Sequence, residues 1–328
     1  MALLTSGPDA PDAPDAPDAP VAPTAPDDRA PNGPRVLLSA REDRLDSVLA
    51  LRRVAAHLGD LRPVAGPDPE PPPVAALVCD DPAATARLLD LGVPVVHLES
   101  GHPGPSGAAG PAERAVRRTH HPGWLPPSGP TAPGVRRTGV LAPQRTGRSR
   151  NRSGTLLLLS LWGVPDPEAE AFATGPLPGL VAAALRRTGG CTVVADTGLD
   201  LLRSALDGLA GRPGLRVRRA AEADPDALHA EAAVFLASPV LGALALAQAR
   251  RSPLALLPAL GPAQQDLAGR VAEVLPLPSA DDPEDPGLWA PSAPDAAGPW
   301  HLLDPGLDDL RGAQRVARAV RQLALAPP

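Results

Sequence analysis

The chain has 328 residues and a formal net charge of −6, and it contains no Lys, Ile or Tyr. The absence of Lys excludes mechanisms that need a Schiff-base lysine or a P-loop lysine. The charge is spread over both halves without a basic patch, so no nucleic-acid partner is expected. Cys79 and Cys191 lie far apart in apolar runs, which predicts two buried free thiols.

The first 34 residues are dominated by Pro, Asp and Ala, and residues 8–20 repeat the triplet Pro-Asp-Ala. Such a segment has too little apolar surface to offset its ordering entropy, which predicts a disordered acidic tail over 1–34. Apolar runs elsewhere are short and broken, so no membrane span is expected. The start of the chain lacks the basic and apolar regions of a signal peptide, and a cytoplasmic location is expected.

Residues 35–145 alternate strand and helix signals, which predicts a first α/β domain. Apolar runs without alternation, separated by helices, indicate a parallel sheet covered on both faces. The Gly/Pro-rich region 101–133 is expected to be mostly loop. Strands are predicted at 35–39, 74–79, 93–98 and 135–141, and helices at 43–58 and 82–91.

A Pro/Gly/Ser/Arg stretch at 142–154 predicts the boundary to a second α/β domain over 154–280, followed by a C-terminal helix within 305–326. The fold class is therefore α/β, with two doubly wound, Rossmann-like domains facing a cleft. Ligands of such sheets bind beyond the carboxyl ends of the strands, which places the site in the cleft. Strands are predicted at 155–161, 191–195, 215–218, 232–236 and 253–257, and helices at 177–187, 199–209, 240–250, 262–271 and 307–325.

The most informative stretch is 231–248, where a buried strand ends at Ser238 and a small-residue helix follows a tight turn. The free backbone N–H groups and the positive end of the helix dipole then point at the cleft and form a phosphate site. Gly242 lets a ligand or a neighbouring backbone approach closely. One strand later, Gln264 and Gln265 lie at the start of the next helix.

This order of elements resembles the donor half of GT-B nucleotide-sugar glycosyltransferases, over about residues 35–274. The resemblance implies that the turn and helix start hold the donor diphosphate, mainly through backbone, and that the glutamines contact the sugar. Gln248 stands where the family usually has a Glu for the ribose hydroxyls, and it lacks the charge-assisted strength of a carboxylate. The donor-binding residues implied are Ser160, Gly163, Ser238, Leu241, Gly242, Ala243, Gln248, Gln264 and Gln265.

Polar residues also follow two strands of the first domain. Asp80, Asp81, Glu99 and His102 lie at strand ends, which face the cleft, so they are candidates for acceptor binding or general-base work. Asp81 precedes a proline and has the alternative role of a helix N-cap. His97 lies inside a strand and is expected to be a hydrogen-bonded core histidine.

Glu99, His102 and Asp43 are the predicted catalytic residues, each able to deprotonate an acceptor, and Arg41 is a candidate for the positive charge that a metal supplies elsewhere. The loop 39–43 departs from the family, because it has neither the usual Gly nor the usual His. A metal site needs three or four ligands, and GT-B catalysis commonly proceeds without one, so neither a metal nor a separate cofactor is expected.

The leading hypothesis is sugar transfer from a UDP-sugar, with UDP-glucuronate as one candidate, to a small acceptor such as a nucleobase or another natural product of secondary metabolism. The transfer itself rests on the GT-B resemblance. UDP-glucuronate and a nucleobase acceptor rest on a resemblance in size, and at 80–82 and 241–248, to relatives of cytosylglucuronic acid (CGA) synthase. Residues 95–101 also resemble UDP-N-acetylglucosamine 2-epimerases, which makes an epimerase-like isomerase an alternative. The other alternative is a catalytically degenerate nucleotide-binding protein, because the family's Glu and loop residues are missing. The sequence does not determine the oligomeric state.

Overall fold

The computed structural model describes residues 33–66, 70–102, 114–127, 129–130, 132–289 and 298–326. Apart from its last two residues, the predicted tail over 1–34 lies outside this part of the chain. Two parallel sheets with helices on both faces make up the described fold, which confirms the predicted α/β class with two Rossmann-like domains. No helix in the described ranges is long and apolar enough to cross a membrane.

Strands and helices alternate along most of the chain. The strands are β1 (Arg35–Ala40), β2 (Arg62–Val64), β3 (Ala75–Cys79), β4 (Val95–Glu99), β5 (Val116–Thr119), β6 (Arg136–Arg137), β7 (Thr155–Leu159), β8 (Cys191–Ala195), β9 (Leu215–Arg219), β10 (Val234–Ala237) and β11 (Ala255–Leu256). The helices are α1 (Leu45–Ala55), α2 (Pro82–Asp90), α3 (Asp166–Thr174), α4 (Pro176–Thr188), α5 (Leu199–Ala205), α6 (Pro225–Glu231), α7 (Leu241–Ala249), α8 (Gly261–Ala272), α9 (Pro286–Trp289) and α10 (Gly312–Ala324).

The first sheet has the order β2-β1-β3-β4-β5-β6, and every neighbouring pair of strands is parallel. β3 is buried at every position, because α1 and α10 pack on one face of the sheet and α2 packs on the other. The C-terminal helix thus returns to the domain in which the chain began. Every side chain of this sheet's central strand therefore contributes to the core.

The second sheet has the order β11-β10-β7-β8-β9, again with all neighbours parallel. α3, α4 and α5 pack on one face, and α7 and α8 pack on the other. Both sheets therefore present the carboxyl ends of their strands as ordered edges, which is where doubly wound folds bind ligands.

Most predicted elements are confirmed, and the differences have local causes. β2, β5, α3, α6 and α9 were not predicted, and β5 lies in the region expected to be mostly loop. The last helix begins only at Gly312, because the Asp308 carboxylate accepts hydrogen bonds from the backbone N–H groups of Gly123 and Val140 and ties the preceding residues down as a loop. Cys79 and Cys191 are buried free thiols, as predicted.

Candidate functional site

The two domains meet where α1 of the first packs against α7 of the second. Leu45 and Leu49 of α1 belong to the apolar core that α7 forms with the second sheet. A Cβ atom added to Gly242 would lie 2.6 Å from Leu49 Cδ1 and 2.9 Å from Asp46 Oδ1. The glycine therefore permits a close approach, as predicted, but the approaching group in this structure is α1.

Each of these two helices is capped by a carboxylate from the opposite domain. Asp46 Oδ1 accepts a hydrogen bond from the backbone N–H of Gly242 at 2.6 Å, and Asp196 Oδ2 accepts one from the backbone N–H of Leu45 at 3.1 Å. The residues at the N-cap positions themselves make no side-chain cap. We call Asp46 and Asp196 the cross-cleft caps. The positive helix ends favour the negative charge of these carboxylates, although burial opposes that charge at both residues.

Asp196 also fixes the end of β7. Its carboxylate accepts hydrogen bonds from Ser160 Oγ at 2.6 Å and from the backbone N–H of Leu161 at 2.9 Å. Burial raises the pKa of Asp196, against the opposing effect of the Ser160 hydroxyl. The carboxylate is therefore held in a defined position at the carboxyl end of β8, directly under the cleft.

A buried arginine adds a third connection across the cleft. The Arg53 guanidinium, with a side chain only 1% exposed, donates two hydrogen bonds to Asp226 at 2.7 and 3.0 Å. It also donates to the backbone carbonyl oxygens of Leu141 and Gly242. A buried cation needs partners of this kind because leaving it unpaired is costly. α1 is therefore tied to α6 and α7 at the same time.

Beside these contacts the cleft contains a small cavity of about 30 Å³ that is open to solvent on one side, the cleft pocket. Arg44 crosses it, with its guanidinium carbon 4.2 Å from the Trp162 ring centroid and Nη1 3.1 Å from Asp80 Oδ1. Gly101 leaves room for that guanidinium. The pocket is thus polar on one wall and aromatic on another. Its lining residues are Arg44, Asp46, His102, Ser160, Trp162, Pro239, Val240, Ala263 and Gln264.

A histidine of the first domain meets an aspartate of the second at this pocket. His102 Nε2 lies 2.5 Å from Asp266 Oδ2, and Asp266 is also bound by Arg270 of its own helix. Burial lowers the pKa of His102, although the hydrogen bond to Asp266 opposes the shift. The imidazole is therefore neutral near pH 7. The carboxylate selects the tautomer with the proton on Nε2, so Nδ1 keeps its lone pair.

Several of the predicted donor-binding side chains form hydrogen bonds to other groups of the protein. Ser238 Oγ accepts a hydrogen bond from the backbone N–H of Ser160 at 3.0 Å. Gln264 accepts one from the Leu260 N–H and donates one to the Ser160 carbonyl oxygen. Gln248 Oε1 accepts one from Trp124 Nε1 at 2.9 Å. Ser160 and Gln264 still line the cleft pocket.

The other predicted donor-binding residues differ in exposure. Leu241 and Ala243 are buried in the first turn of α7. Gly163 and Gln265 are exposed. Gly163 has a φ of +71°, a backbone conformation that is unfavourable for residues with a side chain. The assignment of all nine residues to a donor stays a prediction. Its central group, the Gly242 N–H, is bonded to Asp46.

Of the predicted catalytic residues, His102 lines the cleft pocket, and Glu99 and Asp43 do not. Glu99 pairs with Arg117, its Oε1 3.1 Å from Nη2. Asp43 pairs with Arg41, and both side chains are more than 40% exposed. Arg44 rather than Arg41 therefore places a guanidinium in the pocket.

The strand-end residues of the first domain have structural partners. Asp81 Oδ1 accepts a hydrogen bond from the Ala84 N–H as the N-cap of α2, which confirms that alternative. His97 is buried and hydrogen-bonded to Thr85, as expected of a core histidine. Asp80 has a φ of +59°. Its carboxylate accepts hydrogen bonds from the Ser100 N–H and hydroxyl.

Five residues that shape the cleft had no predicted site role. Asp46 looked like an ordinary acid in the first turn of a helix, whereas Asp196 carried a usable signal, since it directly follows a buried strand. In the described ranges, no cluster of three or more His, Cys, Asp or Glu side chains is arranged to hold a metal ion. The five residues are Arg44, Asp46, Trp162, Asp196 and Asp266.

Solved structures with the same architecture include Arabidopsis thaliana UGT89C1 in complex with UDP-L-rhamnose. That protein is 9% identical, with a TM-score of 0.52 over 89% of this chain and 100% of its own. The glycotransferase of kitacinnamycin is 14% identical, with a TM-score of 0.48 over 90% of this chain and all of its own. S. aureus MnaA bound to UDP is 11% identical, with a TM-score of 0.48 over 90% and 98% of the two chains.

No curated protein matches the chain. The Arabidopsis structure shares its two-domain GT-B fold. The profile of one protein family, described as CGA synthase-related protein, matches residues 36–328, nearly all of the chain that follows the predicted acidic tail. The chain belongs to the CGA synthase-related protein family.

Proposed function

We propose that the protein is a glycosyltransferase that binds a UDP-sugar in the cleft and transfers the sugar to a small acceptor. One observation carries the proposal. The N-terminus of α7 begins where β10 ends, and its Gly242 N–H is bonded to an anion, the Asp46 carboxylate. An anion therefore fits this helix end, which is the kind of position that holds phosphate in other proteins.

His102 supplies the second requirement, a base on the acceptor side of the cleft. It is neutral near pH 7 because burial lowers its pKa, and its pairing with Asp266 orients the ring. A base works best when its pKa lies near the working pH and it is within hydrogen-bonding reach of the proton. In this proposal Nδ1 of His102 takes the proton from the molecule that receives the sugar.

The reaction is a single displacement at the anomeric carbon of the donor sugar. The acceptor's O–H or N–H loses its proton to His102, and its oxygen or nitrogen forms the new bond to that carbon. The bond from the anomeric carbon to the diphosphate oxygen breaks, and UDP leaves with the electron pair. The N-terminus of α7 and the Arg44 guanidinium are the groups placed to stabilise the charge that develops on the leaving diphosphate.

The family supports a choice of donor and acceptor. The CGA synthase resemblance favours UDP-glucuronate as donor and a nucleobase or other secondary metabolite as acceptor, in the cytoplasm. The chain also shares its fold with a protein crystallised with UDP-L-rhamnose, which makes uridine nucleotides the first ligands to test. The test begins with thermal shifts for UDP, TDP, GDP, ADP and their common sugars. A ligand at about 100 times its dissociation constant adds about 2.7 kcal/mol to the free energy of unfolding.

The activity test uses His102→Gln, which keeps a polar side chain and removes the base. We expect UDP binding to persist and sugar transfer to fall by about 100-fold or more. His57→Gln is the matched control, because His57 lies just beyond the end of α1, outside the cleft pocket. Unchanged transfer in the His102 variant would remove the base assignment, and no thermal shift with any nucleotide would remove the proposed function.

A second candidate function is supported by the same contacts. Asp46 lies on the Gly242 N–H, while Gln264 and Gln248 are engaged with protein groups. A degenerate member of the family, binding nucleotide without catalysis, fits this arrangement. Selective nucleotide binding without turnover of any UDP-sugar across a broad acceptor panel would favour it over the transferase.

A further inference from the structure

We propose that Asp46 determines which ligands enter the cleft, because its carboxylate occupies the position that the phosphate of a donor would take. The inference rests on the proposed function and adds a specificity-determining residue to it. A ligand that brings a phosphate to the N-terminus of α7 has to displace Asp46 from the Gly242 N–H. A ligand without phosphate does not.

The geometry defines the competition. Asp46 Oδ1 lies 2.6 Å from the Gly242 nitrogen in a buried contact, and Leu49 of the same helix approaches Gly242 closely. One N–H cannot serve two anions, and two anions in one buried space repel each other strongly. Phosphate and the Asp46 carboxylate therefore exclude each other at this helix end.

Asp46 does not serve its own helix. It lies in the first turn of α1, where an acid ordinarily interacts with the N-terminus of the helix that carries it. Here the backbone N–H of Leu45 at that N-terminus is bonded by Asp196, and Asp46 reaches α7 instead. The two cross-cleft caps thus divide their roles, since Asp196 acts on α1 and Asp46 acts on the predicted phosphate position.

The surroundings of Asp46 leave the carboxylate exchangeable. Arg44 and Arg53 are the cations whose charges act on it, and Asp80 is the like charge. Arg53 is fully committed to Asp226 and two carbonyl oxygens, and it contributes no hydrogen bond to Asp46. A diphosphate carries more charge than one carboxylate and gains both the helix end and Arg44, so it has the means to displace Asp46.

This competition predicts a difference between two closely related probes. UDP carries the diphosphate and uridine does not, although both present the same base and ribose. Removing the negative charge of Asp46 should therefore strengthen the binding of UDP and leave the binding of uridine unchanged. Inorganic pyrophosphate isolates the phosphate position from any contact with the nucleoside.

The experiment titrates wild type and Asp46→Asn with UDP, uridine and pyrophosphate by calorimetry. The Asn side chain keeps an oxygen for the Gly242 N–H and removes only the charge. We expect UDP and pyrophosphate to bind about tenfold more tightly or better, since a charge-assisted hydrogen bond is replaced by a neutral one. Uridine should change by less than about threefold. Asp46→Ser, whose side chain is too short to reach Gly242, should give the same direction.

Two controls separate competition from other effects. Asp196→Asn removes the charge of the other cross-cleft cap and loosens the same interface without touching Gly242. Asp200→Asn makes the same change in net charge on the exposed face of α5. A gain in UDP affinity with Asp196→Asn equal to that with Asp46→Asn would mean that loosening of the cleft is responsible, and would overturn the inference.

The outcomes for the inference and for the proposed function are distinct. If wild type binds UDP and Asp46→Asn binds it equally or more weakly, the proposed function stands and the role of Asp46 is wrong. If no variant binds UDP, uridine or pyrophosphate, the proposed function fails and the inference fails with it.

Discussion

The helices α2 and α7 both begin at the carboxyl end of a parallel strand, but their N-termini are stabilised in opposite ways. α2 is capped by its own Asp81, which accepts a hydrogen bond from the N–H of Ala84, three residues further along the chain. α7 has Val240 at its N-cap position, which makes no side-chain cap. Instead the Gly242 N–H donates a hydrogen bond to Asp46, which is 196 residues away in the sequence. α1 follows the pattern of α7, with Asp196 as its distant cap.

The difference separates helix ends that complete the fold of one domain from helix ends that are available to a ligand. A local cap such as Asp81 binds the Ala84 N–H from within the same domain, and separation of the domains leaves that cap in place. A cap from the opposite domain is removed as soon as the domains separate or a stronger anion enters. The locally capped end of α2 is therefore structural, whereas the caps of α7 and α1 depend on the opposite domain, and α7 is the helix whose capping anion we propose a donor phosphate replaces.

The sharpest way to test the connection between domains is to remove Arg53. Arg53→Met keeps most of the side-chain volume and leaves Asp226 and two carbonyl oxygens without their donor. We expect the free energy of unfolding to fall by about 3 to 4 kcal/mol, at the low end for breaking a buried pair because Asp226 is a fifth exposed. Urea unfolding would measure the loss.

Arg203→Met is the matched control for this change, because Arg203 makes only an exposed pair with Asp200 on α5. It should alter stability by less than about 0.5 kcal/mol. Equal losses in the two variants would show that the Arg53 connection contributes nothing beyond an ordinary surface pair.

The pH dependence of stability tests the Asp46 cap itself. Burial raises the pKa of Asp46 to about 6, a shift that Arg44 and the Gly242 N–H oppose and that Asp80 increases. The folded protein therefore keeps a proton that the unfolded chain has already lost between about pH 4 and 6. The resulting stabilisation is complete below pH 4 and is lost as the pH rises through about 6.

We expect wild type to lose about 2 to 3 kcal/mol of stability relative to Asp46→Asn between pH 4 and 7. Asp196 also has a raised pKa, but it is present in both proteins and cancels in the difference. Urea unfolding of both proteins at four pH values would measure the effect. A difference that stays flat over this range would contradict burial of the Asp46 charge.

The comparison also explains what could be predicted from the sequence. The α/β fold and the end of α7 followed from apolar runs and a small-residue turn. His102 followed from the rule that strand ends face the cleft, and Gln264 followed from the resemblance to GT-B glycosyltransferases. β5 was missed because two of its four residues are Arg, which gives no apolar run, and because the strand is stabilised by pairing with β4 and β6. Asp46 was missed because its partner is set only by tertiary packing of α1 on α7.

Gly242 tests how closely the two helices need to approach. In Gly242→Ala the new methyl group would lie 2.6 Å from Leu49 Cδ1 and 2.9 Å from Asp46 Oδ1. We expect a loss of about 2 kcal/mol, typical of overpacking. Gly269→Ala on α8 is the control, because nothing lies within 4 Å of its added Cβ. If Gly242→Ala cost as much stability in a Leu49→Ala background as it does in wild type, the clash with Leu49 would not be its cause.

Removal of the local cap of α2 should cause the smallest loss of stability, and the loss should be confined to that helix. Asp81→Ala removes the acceptor of the Ala84 N–H, which costs about 1 kcal/mol, while Asp81→Ser keeps a capping oxygen and should cost less. Hydrogen exchange would show faster exchange in the first turn of α2 only, because that cap has no partner in the second domain. Faster exchange at α7 as well would mean that the two helix ends are coupled, and the distinction between local and cross-cleft capping would no longer hold.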